Sequence, residues 1–86
     1  MTEKLRGLGP KSWKMLAKAG ITTADQLRTA GSVAAFAATR RADAGVSLNL
    51  LWAIEGALTG QSWQDVARLH RTSLLLAWEA YEKSNV

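Results

Sequence analysis

The stretch "GLGPKSWKMLAKAG", residues 7–20, holds the start and stop signals of a helix between two glycine-containing turns. Pro10 suits the first helical position, because the N–H that proline lacks would have no intrahelical partner there. Gly20 suits the left-handed residue that ends many helices. The stretch therefore predicts a helix from Pro10 to Ala19 that follows a tight turn.

This predicted helix is amphipathic. On a helical wheel of about 100° per residue, its lysines fall on one side, whereas Leu16 and Trp13 fall on the roughly opposite side. One face is therefore expected to pack and the other to remain free for an anionic partner. The lysines of the free face are Lys11, Lys14 and Lys18.

The turn before the helix predicts an anion site. Gly7 and Gly9 allow backbone conformations that other residues avoid, and they let another chain approach closely. The first N–H groups of a helix lack internal partners, and the helix dipole favours an anion beside them. With Lys11 next to this turn, the sequence predicts a site that grips phosphate without reading a base.

The net charge of +4 is concentrated at one end of the chain. Residues 1–20 carry five basic residues and one acidic residue, which is a charge of +4, so residues 21–86 sum to zero. A concentrated positive field suggests nucleic acid as a partner. The alternative is a solvated lysine face, since a net charge of this size is ordinary for a small domain.

The rest of the chain is also predicted to be helical, because no segment shows the sustained alternation of apolar and polar residues that is typical of a strand. We predict an all-α fold, a compact single domain of five or six helices over residues 1–86. A short helix is expected at residues 2–6. The last helical stretch, residues 63–83, is expected to be either one helix or two helices that are separated at Thr72-Ser73. Further helices are expected after these residues: Thr23, Ser32, Ser47 and Ser62.

Composition excludes several classes of protein. With 48% apolar residues the chain lacks the signature of disorder, and without cysteine it can form neither disulfides nor thiolate metal sites. Its longest apolar run is far shorter than the ~20 residues that span a bilayer, and its N-terminus has no signal-peptide core. We expect a soluble, cytoplasmic protein.

The chain offers little for catalysis. His70 is its only histidine and lies on an apolar stripe, where a structural role is the better interpretation. One histidine with scattered carboxylates provides too few ligands for a metal, and no phosphate-binding loop is present. We expect no catalytic residue, no metal, no cofactor and no enzyme activity. Glu55 is expected at the surface or paired with Arg40 or Arg41.

Large apolar residues offer a second surface. In "LNLLWAIEGAL", residues 48–58, Trp52 either fills part of the core or anchors a dimer contact. Leu69 and Leu76 lie off the main apolar stripe of the last stretch. We expect them to meet another helix, either of the same chain or of a neighbouring subunit. These three residues are the candidate partner interface, and a homodimer is one form it could take.

The segment "LRGLGPKSWKMLAKAGITTADQL", residues 5–27, resembles a helix-hairpin-helix motif. In proteins with this motif, the hairpin amides and nearby basic residues bind a nucleic-acid backbone with little sequence preference. The resemblance implies a helix-hairpin-helix or SAM-like fold and points to Gly7, Gly9 and Lys11, with Leu8 at the hairpin tip. Similar hairpins also occur in domains that bind only proteins.

Two blocks in order, "LRGLGPKSWKMLAKAGI" and "LNLLWAIEGALTGQSW", resemble the C-terminal domain of the TfoX/Sxy family of competence regulators. The resemblance covers almost the whole chain and implies an all-helical bacterial domain with a role in transcription regulation, DNA uptake and natural transformation. Family members act with the cyclic-AMP receptor protein at promoters. Longer members carry an N-terminal domain, and we expect this chain to be the C-terminal domain alone.

Two functional hypotheses follow. In the first, the chain is a non-enzymatic regulatory module of the TfoX type that contacts the DNA backbone, a transcription regulator, or both. In the alternative, it is a protein-interaction or dimerisation adapter that binds no nucleic acid. The residues expected to contact nucleic acid are Gly7, Leu8, Gly9, Lys11, Lys14 and Lys18.

Overall fold

Six α-helices and no strand make up residues 7–84, the part of the chain that the computed structural model describes. In chain order the helices are α1 (Pro10–Ala17), α2 (Ala24–Ala30), α3 (Ser32–Ala42), α4 (Leu48–Thr59), α5 (Trp63–Leu69) and α6 (Arg71–Ser84). The prediction of an all-α fold is confirmed. The helix predicted at residues 2–6 lies outside the described residues.

The helix starts follow local capping chemistry. The Thr23 hydroxyl accepts from the Gln26 amide at 3.1 Å, and the Gln26 side chain accepts from the Thr23 amide at 3.2 Å, which forms a capping box. The Ser62 hydroxyl likewise accepts from the Asp65 amide at 3.1 Å. Both predicted helix starts are confirmed. They could be predicted from the sequence because each cap depends only on residues that are close along the chain.

The last helical stretch is divided into two helices at His70. This is two residues before Thr72, the position at which the sequence allowed a break. The His70 amide donates to the Val66 carbonyl at 2.8 Å and closes α5. The His70 carbonyl accepts from the Leu74 amide at 3.0 Å and begins α6. The break separates two helices with different partners, since α5 packs against α4 and α6 packs against α3.

Helix α3 packs against α1, α2, α4 and α6. Its buried face is made mainly of small residues, and Ala35, Ala37 and Thr39 are fully buried. The Thr39 hydroxyl donates to the Ala35 carbonyl at 2.8 Å, so this buried polar group is satisfied. Small side chains let the neighbouring helices come close to the α3 backbone.

One side-chain contact between α3 and α4 corrects two predictions. Gly31, not Ser32, occupies the N-cap of α3, and the Ser32 hydroxyl donates to Glu55 at 2.7 Å. Arg40 instead donates to the Val46 carbonyl at 3.2 Å, and Arg41 pairs with Glu82 at 3.2 Å. The expectation that Glu55 pairs with Arg40 or Arg41 is therefore wrong.

Helix α4 is apolar on most sides and is buried as predicted. Leu51 and Ile54 are fully buried, and Trp52 is 5% exposed. Trp52 therefore fills the core, and its assignment to a partner interface is corrected. The apolar core is completed from other parts of the chain by Leu8, Leu16, Ile21, Leu27, Phe36, Val46, Val66 and Leu74.

Aromatic and ionic contacts join α3 to α6. The rings of Phe36 and Trp78 meet edge to face with centroids 5.2 Å apart. The Arg40 guanidinium lies 5.3 Å from the Trp78 ring centroid, and the Trp78 indole N–H donates to Glu82 at 3.0 Å. These contacts hold α6 against the body of the domain.

Gly56 lies where α4 and the turn that leads into α5 come close together. A Cβ atom built at this position would lie 2.6 Å from the Gln61 carbonyl oxygen and 3.3 Å from the Ser62 carbonyl carbon. Both are backbone atoms, so they cannot move aside as the end of a side chain can. Glycine is required here by space.

We expect Gly56→Ala to lower the free energy of unfolding by about 1–3 kcal/mol, although alanine favours helix more than glycine does. Urea denaturation followed by far-UV circular dichroism measures the change. Gly9→Ala is the matched control, because a Cβ there meets nothing within 4 Å. The control should cost less than about 1 kcal/mol, the size of an N-cap preference. Equal losses for both variants would contradict the packing argument.

Candidate functional site

The turn before α1 combines two glycines with different backbone roles. Gly7 has a φ of +89°, in the left-handed region that favours glycine. Gly9 has a φ of −82° and an extended ψ of 177°, and its carbonyl accepts from the Trp13 amide at 3.1 Å to begin α1. The predicted need for glycine is therefore conformational at Gly7, whereas Gly9 adopts a backbone that other residues also adopt.

Leu8, between these glycines, points into the protein. It is 6% exposed and belongs to the same core cluster as Leu16 of α1. The prediction that Leu8, at the hairpin tip, contacts nucleic acid is corrected, because its side chain is buried in the core. Its burial anchors the turn, and the exposed atoms of the corner come from Gly7, Gly9 and Pro10.

The predicted row of three lysines is divided by the tertiary structure. Lys11 and Lys14 are exposed, and neither forms an ion pair with any residue between 7 and 84. The Lys18 ammonium lies 2.9 Å from the Asp43 carboxylate in the loop after α3. Two of the three cations are thus available to a ligand, and the third is engaged.

The environment of Asp43 stabilises its ionised form. The hydrogen bond from Lys18 lowers the pKa of the Asp43 carboxyl, and a second hydrogen bond, from the Gly45 amide at 3.0 Å, acts in the same direction. The charge of Lys18 adds to the effect. The contact ties the end of α1 to the loop of residues 43–47.

A groove of about 460 Å³ opens beside the lysine corner. Its lining includes Lys11 from α1, Ser47 from the loop before α4, Leu50 from α4 and Trp63 from α5. Among the described residues that line the groove, Lys11 is the only charged one. The groove therefore offers a cation, apolar surface and an aromatic ring to one ligand.

Trp63 is the residue of this site that sequence reasoning missed. Its spacing places it on the apolar stripe of the last helical stretch, yet 45% of its surface is exposed. The available signal was its position directly after the Ser62 cap, at the very start of α5. The first residue of a helix lies at the edge of the face that packs against the core. A side chain as large as that of tryptophan extends past this edge and is partly exposed to solvent.

The remaining predicted interface residues are exposed. Leu69 on α5 is 58% exposed and Leu76 on α6 is 60% exposed. With Trp52 buried, the candidate protein interface consists of these two leucines.

Residues 7–84 hold neither of two other kinds of feature, a metal-ligand cluster or a membrane-spanning helix. No three His, Asp or Glu side chains in this range come together as metal ligands would. Within the same range, no helix combines the length and the apolar character needed to cross a bilayer.

The fold and this corner define a small all-α domain in which two lysines beside a glycine turn form no ion pair with any residue from 7 to 84. The model of the TfoX C-terminal domain family matches residues 2–78. The match covers most of the chain, so the chain belongs to the TfoX C-terminal domain family, as the two sequence blocks predicted. No curated protein and no solved structure matches the chain.

The Lys18–Asp43 contact predicts a measurable titration. We expect carboxyl NMR to give Asp43 a pKa below its usual value, and Lys18→Gln to raise that pKa, because the largest cause of its lowering is removed. The ionised carboxylate favours folding above its unfolded-state pKa, and this contribution is lost as pH falls through the lower folded-state pKa. Lys83→Gln on α6 is the control, and an Asp43 pKa that responds equally to both variants would contradict the assignment.

Proposed function

We propose that the chain is a non-enzymatic regulatory module of the TfoX type that contacts the nucleic-acid backbone at the corner of Gly7, Gly9, Lys11 and Lys14. The observation that carries this proposal is that Lys11 and Lys14 are exposed and have no ion pair with any other described residue. A phosphate that meets them does not have to displace a carboxylate first. Lys18 contributes less, because Asp43 already occupies its ammonium group.

The binding mechanism follows from the chemistry of the corner. Exposed lysines that neutralise phosphates release condensed counterions, so the affinity falls steeply with salt. Phosphate contacts position a protein on nucleic acid but carry little information about base sequence. The unpaired N–H groups at the start of α1 add donors beside Lys11. Contact through this corner therefore gives salt-sensitive binding with weak sequence preference.

The regulatory context of the proposal comes from the family. Membership of the TfoX C-terminal domain family supports a role in competence and natural transformation. In this proposal the chain works in the bacterial cytoplasm together with a transcription regulator at a promoter. Contact with DNA and contact with that regulator are compatible, since the lysine corner and the exposed leucines involve different helices.

We expect the full chain to bind duplex DNA at low salt and to lose most of its affinity at moderate salt. The double variant Lys11→Gln, Lys14→Gln should reduce the slope of log K against log salt by about 2, one for each phosphate contact removed. Lys18→Gln should reduce it by less than about 1. Fluorescence anisotropy of a labelled duplex at several salt concentrations measures both effects.

Lys83→Gln is the matched control for this experiment, because it removes a lysine from α6, away from α1, and should leave binding unchanged. Circular dichroism confirms that each variant is folded. Absence of binding at low salt, or a slope that the double variant does not change, would rule out the proposed contact.

A second candidate function is an adapter for protein partners or for a second copy of the chain. The observation that favours it is the exposure of Leu69 and Leu76, because an apolar patch formed by two such side chains is the kind of surface that partners cover. This function requires no nucleic acid.

If the leucines form a dimer contact, sedimentation equilibrium of the wild-type chain should show a dimer. The double variant Leu69→Ser, Leu76→Ser should be a monomer with unchanged helix content. The substitutions should alter the free energy of unfolding by less than about 1 kcal/mol, because both side chains are mostly in water. A wild-type monomer that recovers no partner in pull-downs would eliminate the adapter.

A further inference from the structure

We propose that the groove beside α1 binds an unpaired base against Trp63, so that this module prefers single-stranded to double-stranded nucleic acid. The inference rests on the proposed function and names the form of nucleic acid that the same site accepts. It depends on three features of the groove: the exposed ring of Trp63, the cation that lines the same groove, and the packed backbone that carries the ring.

Trp63 is exposed to an extent that is unusual among the tryptophans of this chain. Trp52 is 5% exposed, Trp13 and Trp78 are half-buried against the core, and Trp63 is 45% exposed. An indole ring left in water forgoes a large hydrophobic gain. Its exposure within a groove is typical of a surface on which a flat apolar ligand can stack.

The charge of the groove selects an anionic ligand. Lys11 is on the groove wall, and no carboxylate is among the described residues that line it. The side chains of Ser47 and Asn49 add polar groups, and Leu50 adds apolar surface. A nucleotide matches this arrangement, because its phosphate meets Lys11 while its base covers the ring of Trp63.

The backbone that carries the ring is held by local contacts. The Ser62 cap sets the start of α5, and the turn before it packs directly against the backbone of α4 at Gly56. The backbone that carries Trp63 is therefore held in place beside the groove that Lys11 also lines. A preformed platform of this kind avoids much of the ordering cost that a flexible loop would incur on binding.

The form of nucleic acid follows from the geometry of stacking. In a duplex each base is stacked on both faces by its neighbours, so no base face is available to Trp63. In a single strand the bases are free to stack on a protein aromatic ring, and such stacking is tolerant of sequence. Duplex binding would use Lys11 and Lys14 alone, whereas single-strand binding would use the lysines and Trp63 together.

The test compares a single-stranded oligothymidylate with a duplex of equal length, titrated into the full chain at fixed salt. We expect the single strand to bind more tightly and to quench tryptophan fluorescence. Trp63→Leu should weaken single-strand binding about tenfold, within the range measured for base–aromatic stacking, and leave duplex binding unchanged. Gln64→Ala, at the neighbouring exposed position of α5, is the control and should leave both affinities unchanged.

Trp63→Phe keeps the test valid if the leucine variant does not fold. Phenylalanine retains an aromatic face, so the affinity should stay within about threefold of wild type, whereas the quenching should disappear. Equal affinities for single strand and duplex, or single-strand binding that Trp63→Leu does not weaken, would overturn the inference while the proposed function stands. Failure to bind either nucleic acid would overturn both.

Discussion

Helix α3 has to lie against α1, α2, α4 and α6 at once, and its small buried side chains make this approach possible. Ala35 and Ala37 leave no bulk on the faces that these helices share, and Phe36, which is also fully buried, meets the ring of Trp78. The surrounding helices are short, and α2 has only 7 residues. Helices of this length are not stable in isolation in water, so their packing against α3 is what maintains them.

This packing determines which face of α1 reaches the solvent. Leu16 is fully buried and Leu8 is buried beside the turn, so both apolar anchors hold the corner to the core. Lys11 and Lys14 consequently extend into water, and Lys18 comes within reach of Asp43. The same burial that stabilises α1 thereby divides its lysines into two that are available and one that is paired.

The groove depends on the junction between α4 and α5 in a similar way. Gly56 permits the turn at residues 60–62 to touch the α4 backbone, which brings Trp63 to the groove that Lys11 lines. The cation and the ring are far apart in sequence, and they belong to helices whose positions are set by different contacts. Their meeting in one groove is a property of the assembled domain.

The sequence by itself determined the helices, the capping box of Thr23, the burial of α4 and the family, because periodicity, capping and motif order are local or linear properties. The tertiary structure alone decided that Lys18 is paired with Asp43, that Leu8 is buried and that Trp63 lines one groove with Lys11. Each of these depends on residues distant along the chain. A helical wheel shows which side chains share a face, but it does not show what lies opposite that face.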